Sequence, residues 1–284
     1  VTQQKNGYSV FLSNKLNQEK IETHIFGYGG NHINDAGICF LNKVVEKNPD
    51  YCFIDFFSTG YINFGKDIID CLDTIVYNFT KVKCKLIFLF LLNINHIKRI
   101  EFYNFLKKYL ESKNLYYIDI NDYLNYSTEF CRDDVHTTDL GSEIYSAIIY
   151  DKFKKNLDTI KLPINIEKTC FCDEIKVLTL NKIFTNNFNL SGKCFIIAFN
   201  LIIGPKSGFI EINEKKYLIW DIYCHYDRQN FNLKNIELNG NIEIKILQDN
   251  VDYSECRRPI EESNINKELN IIEIYYIGEN LNII

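Results

Sequence analysis

The sequence contains no Met, a single Trp and only four Pro. Since it opens on Val, the natural start is expected to lie elsewhere, and the lack of a recognisable leader carries little weight. No run of Lys or Arg alternates with aromatics, and the formal net charge is -5. A nucleic-acid partner is therefore not expected. No apolar stretch reaches membrane-spanning length. The longest, "KLIFLFLLNI" (85–94), has the length of a strand and breaks at Asn93. No internal repeat and no low-complexity tract is present. Scarce Pro with abundant Ile, Asn, Lys, Tyr and Phe reflects the codon bias of an AT-rich genome and has no bearing on mechanism.

No second cysteine pair accompanies Cys170-x-Cys172, so a zinc site is not expected, nor is any cofactor. The other cysteines, among them Cys39, Cys52, Cys71, Cys84, Cys131 and Cys194, are scattered singly through apolar segments. Buried thiols in a reducing compartment are distributed in this way, which makes a cytoplasmic location the expectation.

What is present falls into two halves. In the first, "KIETHIF" (20–26), "YCFIDFF" (51–57), "KLIFLFLL" (85–92) and "LYYIDI" (115–120) are short apolar or aromatic runs. Amphipathic helical patterns cover 8–16, 34–46, 66–79, 97–111 and 140–153. That alternation predicts an α/β fold, a parallel sheet with helices on both faces. From about residue 166 the helices cease. Strand-like runs follow, punctuated by turn signals such as Gly204-Pro205, Asn213-Glu214, Asn239-Gly240 and Asp249-Asn250. We expect an α/β domain over 1–160 and a β-sandwich of jelly-roll type over 166–284, with a boundary near Pro163.

Active sites of parallel sheets sit at the carboxyl ends of the strands. Three loops fall there. In "FGYGGNHINDAG" (26–37), glycine amides after a strand suit a phosphate cradle, an oxyanion hole or a plain tight turn. In "DFFSTGY" (55–61), Ser58 and Thr59 offer hydroxyls, which could equally cap a strand end. In "CRDDVHTTDLG" (131–141), Asp133 and His136 are three residues apart, so a short loop can turn both side chains the same way. The Asp would hold the imidazole Nδ1–H and raise its basicity, as in a hydrolase triad. Thr138 or Asp139 can cap the helix that follows.

These loops, in this order, resemble the SGNH (GDSL-like) hydrolases and esterases over about residues 1–155. The resemblance implies a flavodoxin-like parallel sheet, Asp133 orienting, His136 as base, and Gly30 at the oxyanion position. Thr59 stands where the family has an oxyanion Asn. One hydroxyl replaces an amide there, a change worth about 10²–10³ in rate where nothing compensates. Ser58 or the neighbouring backbone are the candidates to compensate. The family's first block, a nucleophilic Ser in a Gly-x-Ser turn, has no clear match. Ser9 is tempting, but it falls inside the first helical pattern and too close to Gly30. "VTQQKNGY" reads better as the sequence that follows the nucleophile, which is then expected immediately before Val1.

On that basis the expected chemistry is acyl transfer through a Ser-His-Asp triad, on an acyl ester of a carbohydrate or related small substrate. The alternative is a catalytically inactive carbohydrate-binding protein on the same scaffold. Asn31 and Trp220 are the candidate substrate contacts. Trp220 lies beside Asp221, His225, Tyr226 and Arg228, and could instead be sandwich core with an Asp/Arg pair at its rim. A second catalytic role for His225 lacks any evident nucleophile.

Overall fold

The computed structural model describes residues 7–27, 32–56, 66–91, 97–125, 127–133, 136–164, 168, 175–260 and 266–284. The chain divides into two compact units, Val1–Cys172 and Asp173–Ile284.

In the first unit, β1 (Tyr51–Ile54), β2 (Lys85–Phe90) and β3 (Tyr116–Asp119) form a parallel sheet in the order β1-β2-β3. Five of the six β2 residues, Leu86 to Phe90, are buried, because both faces of the strand are covered. Ile87 and Leu89 face α1 (Tyr8–Gln18) and α5 (Asp139–Asn156), in one core with Tyr8, Leu12, Leu16, Tyr145, Ile149 and Phe153. Tyr51 and Phe53 of β1 meet Phe153 edge-on, with ring centroids 5.0 and 5.1 Å apart. Phe90 points the other way and meets Tyr103 at 5.0 Å. Tyr103 belongs to α4 (Ile97–Ser112), which with α3 (Lys66–Lys81) makes up the rest of this unit's long helices. A continuous apolar strand between two helical layers is the α/β arrangement expected from the sequence.

Two expectations for this unit fail locally. Residues 21–27 form no strand, and Ile21, Ile25 and Phe26 are exposed. An apolar run supplies side chains but not ladder partners, and among the described residues none pairs with this segment. The helix expected over 34–46 is broken into a π-helical turn (Ile33–Gly37) and α2 (Leu41–Val45). The buried Asp35 carboxylate accepts from the backbone N–H of His32 and of Ala36, each at 2.5 Å. Such local side-chain bonds compete with regular helix.

The second unit is antiparallel throughout. Its strands are β4 (Lys176–Phe184), β5 (Phe188–Ile203), β6 (Phe209–Ile212), β7 (Lys215–Leu218), β8 (Arg228–Asn232), β9 (Ile236–Leu247) and β10 (Leu269–Ile283). The order is β4-β10-β5-β9-β6-β7, with β8 also paired to β5. The expected sandwich is realised as one hydrogen-bonded sheet whose long strands change partners along their length. β5 pairs with β9 over Phe188 to Ile196, then with β8 over Phe199 to Ile203. Leu190, Ile196, Leu201, Leu238, Ile244 and Ile271 belong to the core it encloses.

The turn signalled by Asn239-Gly240 does not form, and β9 runs on through it. Gly240 adopts φ +108°, but within the ladder, opposite Gly192. A Cβ on Gly192 would lie 2.3 Å from the Asn280 carbonyl oxygen of β10. Glycine at 240 thus serves a positive φ inside a strand in place of a turn, and glycine at 192 serves the close approach of β5 to β10.

Candidate active site

The segment that carries Asp133 and His136 leaves the carboxyl end of β3 and enters α5. Its entry is fixed by Asp119, which ends β3. The Asp119 carboxylate accepts from Asn121 N at 3.0 Å and from the Tyr103 hydroxyl of α4. Its exit is fixed by Thr138, whose hydroxyl accepts from Gly141 N at 3.0 Å as the helix N-cap. The same hydroxyl donates to Glu129 O at 2.6 Å. Thr138 was one of the two caps expected from the sequence.

Between these anchors the chain folds back on itself. Thr138 N donates to Phe130 O at 2.9 Å, Arg132 N donates to His136 O at 2.8 Å, and Cys131 faces Thr137 in an antiparallel bridge. The Arg132 guanidinium Nε donates to Thr137 O at 3.1 Å. Gly141 makes this closure possible, because a Cβ there would sit 2.0 Å from Phe130 O. Beneath the loop the Thr137 and Ser142 hydroxyls share a buried hydrogen bond of 2.6 Å.

The closure brings the two chemical groups together. His136 N donates to Asp133 Oδ1 at 2.8 Å, and His136 Nδ1 lies 2.9 and 2.8 Å from Asp133 Oδ1 and Oδ2. The carboxylate thus holds both the backbone and the ring of the histidine. With Nδ1 as donor, Nε2 is the acceptor nitrogen. Both side chains are about half exposed, 45% for His136 and 56% for Asp133, so the imidazole can reach an incoming group.

Among the described residues, two candidate nucleophiles do not suit the role. Cys131 is buried, its Sγ lies 3.5 Å from the Tyr145 hydroxyl, and burial pushes its thiol pKa up. A thiol held protonated is a poor nucleophile. Ser9 lies in the first turn of α1, with its hydroxyl buried and unpartnered among the described residues. Gly30, Asn31, Ser58 and Thr59 fall outside the described residues. The residues that flank these loops are described. Tyr8, at the start of α1, donates to Asp55 Oδ2 at 3.0 Å, just past the end of β1. Burial and Asp55 together raise the Tyr8 pKa well above its ordinary value.

Trp220 lies in the second unit. β7 stops at Leu218, and shortly beyond it the Asp221 carboxylate accepts from Tyr223 N at 2.9 Å and turns the chain. The Trp220 ring is partly buried against the β core and meets Tyr253 edge-on at 5.6 Å. Asp221 pairs with Arg228, as the core-and-rim alternative anticipated. Sequence reasoning missed the neighbour of His225. Cys256 Sγ lies 3.9 Å from His225 Nδ1, across 31 positions, a proximity that no local pattern could show.

Among the described residues, no group of His, Cys, Asp and Glu is arranged to hold a metal ion. Nor is any helix among them long and apolar enough to cross a membrane.

No protein-family model matches this chain, and no curated protein does. Solved structures do. A two-domain esterase active on acetylated mannans, co-crystallised with mannopentaose, superposes with a TM-score of 0.59 at 12% identity, over 95% of this chain and 84% of that one. A lipolytic protein of the G-D-S-L family from Desulfitobacterium hafniense DCB-2 matches at TM-score 0.45 and 14% identity, over 52% and 88% of the two chains. The psychrotrophic esterase EstA from Pseudoalteromonas sp., inhibited by monoethylphosphonate, matches at 0.44 and 17%, over 55% and 90%. The mannan esterase likeness spans nearly all of this chain, and it shows a shared two-unit fold: a helix-flanked parallel sheet followed by an antiparallel β unit, as expected from the sequence.

Proposed function

We propose that the chain is an SGNH-type serine esterase or O-acyltransferase acting on an acyl ester, acetyl in the simplest case, of a glycan or related small substrate. The observation that carries this is the Asp133 carboxylate on His136 Nδ1 at 2.8–2.9 Å, on the loop that follows the carboxyl end of the parallel sheet. The choice of an acetylated glycan takes its support from the mannan esterase with the same two-unit fold.

The nucleophile is a serine immediately ahead of Val1. Support comes from Tyr8, which ties the start of α1 to Asp55 just past the end of β1; the start of α1 therefore lies at the sheet edge that also bears the Asp133 loop. The serine Oγ attacks the ester carbonyl carbon while His136 Nε2 takes its proton. Asp133 stays ionised and stabilises the imidazolium. Gly30 N–H and Thr59 are the donors to the tetrahedral oxyanion. Collapse expels the alcohol, which takes the proton from His136 and leaves an acyl-serine. Water or a sugar hydroxyl then attacks, with His136 again as base.

The test reads the coding region upstream of Val1 and expresses the chain with those residues restored. A Gly-x-Ser there, hydrolysis of an aryl acetate, and a loss of about 10³–10⁴-fold in His136→Ala and Asp133→Asn are expected. Activity unaffected by His136→Ala would refute the mechanism. A residue other than Ser before Val1, with no turnover, would leave an inactive carbohydrate-binding protein.

A further inference from the structure

The loop that carries Asp133 and His136 is closed by bonds among its own residues. Arg132 N to His136 O, Thr138 N to Phe130 O, Arg132 Nε to Thr137 O and the Asp133 carboxylate on His136 all join residues 130–138 to one another. Such bonds give the loop its shape but do not fix where it sits on the domain. Its place is set by α5, which is anchored because Tyr145, Ile149 and Phe153 share a core with Ile87 and Leu89 of β2. The Thr138 cap on Gly141 N is one tie to that helix, and the 3.5 Å contact of Cys131 Sγ with the Tyr145 hydroxyl is another. A third is the 2.6 Å bond between the Thr137 and Ser142 hydroxyls, and it acts on the residue next to the base.

Thr137 is 4% exposed and Ser142 is fully buried. Thr137 also forms the antiparallel bridge with Cys131, so the chain is extended there. Successive side chains of an extended chain point to opposite faces. Drawing the Thr137 hydroxyl inward onto Ser142 therefore turns His136 outward, where its ring is 45% exposed. An apolar pair of the same shape would fill this space at little cost, since a buried hydrogen bond adds only modest net stability. What the hydroxyls add is a defined distance and direction between loop and helix, shielded from competing water.

We propose that Thr137 and Ser142 are positioning residues for His136: their buried bond registers the loop on the first turn of α5 and so fixes where the imidazole stands. The inference rests on the esterase reading above.

The test separates positioning from stability with a double-mutant cycle, in the chain with the residues upstream of Val1 restored and an aryl acetate as substrate. Thr137→Val and Ser142→Ala each leave the other hydroxyl buried without this partner, and each should melt below the wild type. The double variant Thr137→Val/Ser142→Ala removes both hydroxyls and should recover most of that loss. Its kcat should nevertheless stay tenfold or more below the wild type, because an imidazole misplaced by an ångström loses on the order of 10² in rate. KM should change by less than about threefold, since both side chains are buried away from substrate. Recovery of kcat together with the melting temperature in the double variant would mark the pair as merely structural and overturn the proposal, as would wild-type kcat in both single variants. If the double variant does not fold, Thr137→Ser decides. It loses a methyl group but keeps the hydroxyl, so it should retain kcat where Thr137→Val does not, and equal losses in the two would overturn the proposal. A restored wild type that hydrolyses no ester would overturn the esterase reading and this inference with it, whereas an active wild type with an equally active double variant overturns this inference alone.

Discussion

Replacing Gly141 with Ala should damage the Asp133–His136 loop from outside it. The added methyl would start 2.0 Å from Phe130 O and 2.9 Å from Phe130 Cα, against 3.4 Å or more for an ordinary contact. The obstacle is backbone, so relief needs the loop or the first turn of α5 to move by more than an ångström. That motion breaks the Thr138 N to Phe130 O bond and loosens the cap between Thr138 and Gly141. Overpacking costs about 1–3 kcal/mol, and one lost hydrogen bond adds about 0.5–1.5 kcal/mol. The better helix propensity of Ala returns at most about 1 kcal/mol. The net destabilisation of the first unit is thus roughly 1–3 kcal/mol, which lowers its melting temperature by about 3–10 °C. Under the proposed mechanism, displacing His136 by an ångström would cost on the order of 10² in rate. Scanning calorimetry on the whole chain reads the first effect. Leu140→Ala, at an exposed position in the same turn, is the control and should change stability by less than about 0.5 kcal/mol. A Gly141→Ala protein that melts with the wild type would refute the close approach and the positioning built on it.

Two further outcomes follow from packing. The Tyr109 hydroxyl donates to Asp73 at 2.6 Å between α4 and α3, and burial, with this bond, raises its pKa above the ordinary value. The folded state then keeps a proton that the unfolded chain gives up above about pH 10, so stability is fully present below that pH and falls as pH rises beyond it. The slope is up to about 1.4 kcal/mol per pH unit for this group. Urea denaturation at pH 9 and pH 11 should show a shallower loss in Tyr109→Phe, and an unchanged slope would count against it. In the β unit, Gly240→Ala meets nothing within 4 Å but must hold φ +108°, a strain of about 1–2 kcal/mol. Gly192→Ala instead meets the Asn280 backbone at 2.3 Å and should lower the urea midpoint further. The reverse ranking would contradict the close approach of β5 and β10.

Periodicity in the sequence was enough to locate α1, α3, α4, α5 and the three parallel strands, because each buries a continuous or amphipathic apolar pattern that only one element type satisfies. The Asp133–His136 pair was legible for a related reason. Its partners are three residues apart, so local chain geometry suffices to join them. Residues 21–27 mark the limit of such inference. Their apolar pattern says strand, but a strand exists only where another chain segment offers its ladder. At Asn239-Gly240 the residues allow a turn, and the ladder with β5 decided that the chain would run on as strand, with Gly240 at positive φ inside it.

By itself, the sequence determined which residues could carry acid–base chemistry and which segments could be buried, since both follow from side-chain identity and spacing. Tertiary structure alone decided that Gly141 must have no side chain, that Tyr8 is tied to Asp55, and that Cys256 meets His225. It also decided that the Trp220 Nε1 and Arg228 Nε atoms are buried without a partner among the described residues. Each of these depends on backbone separations and burial between segments far apart in the chain, which no local pattern encodes.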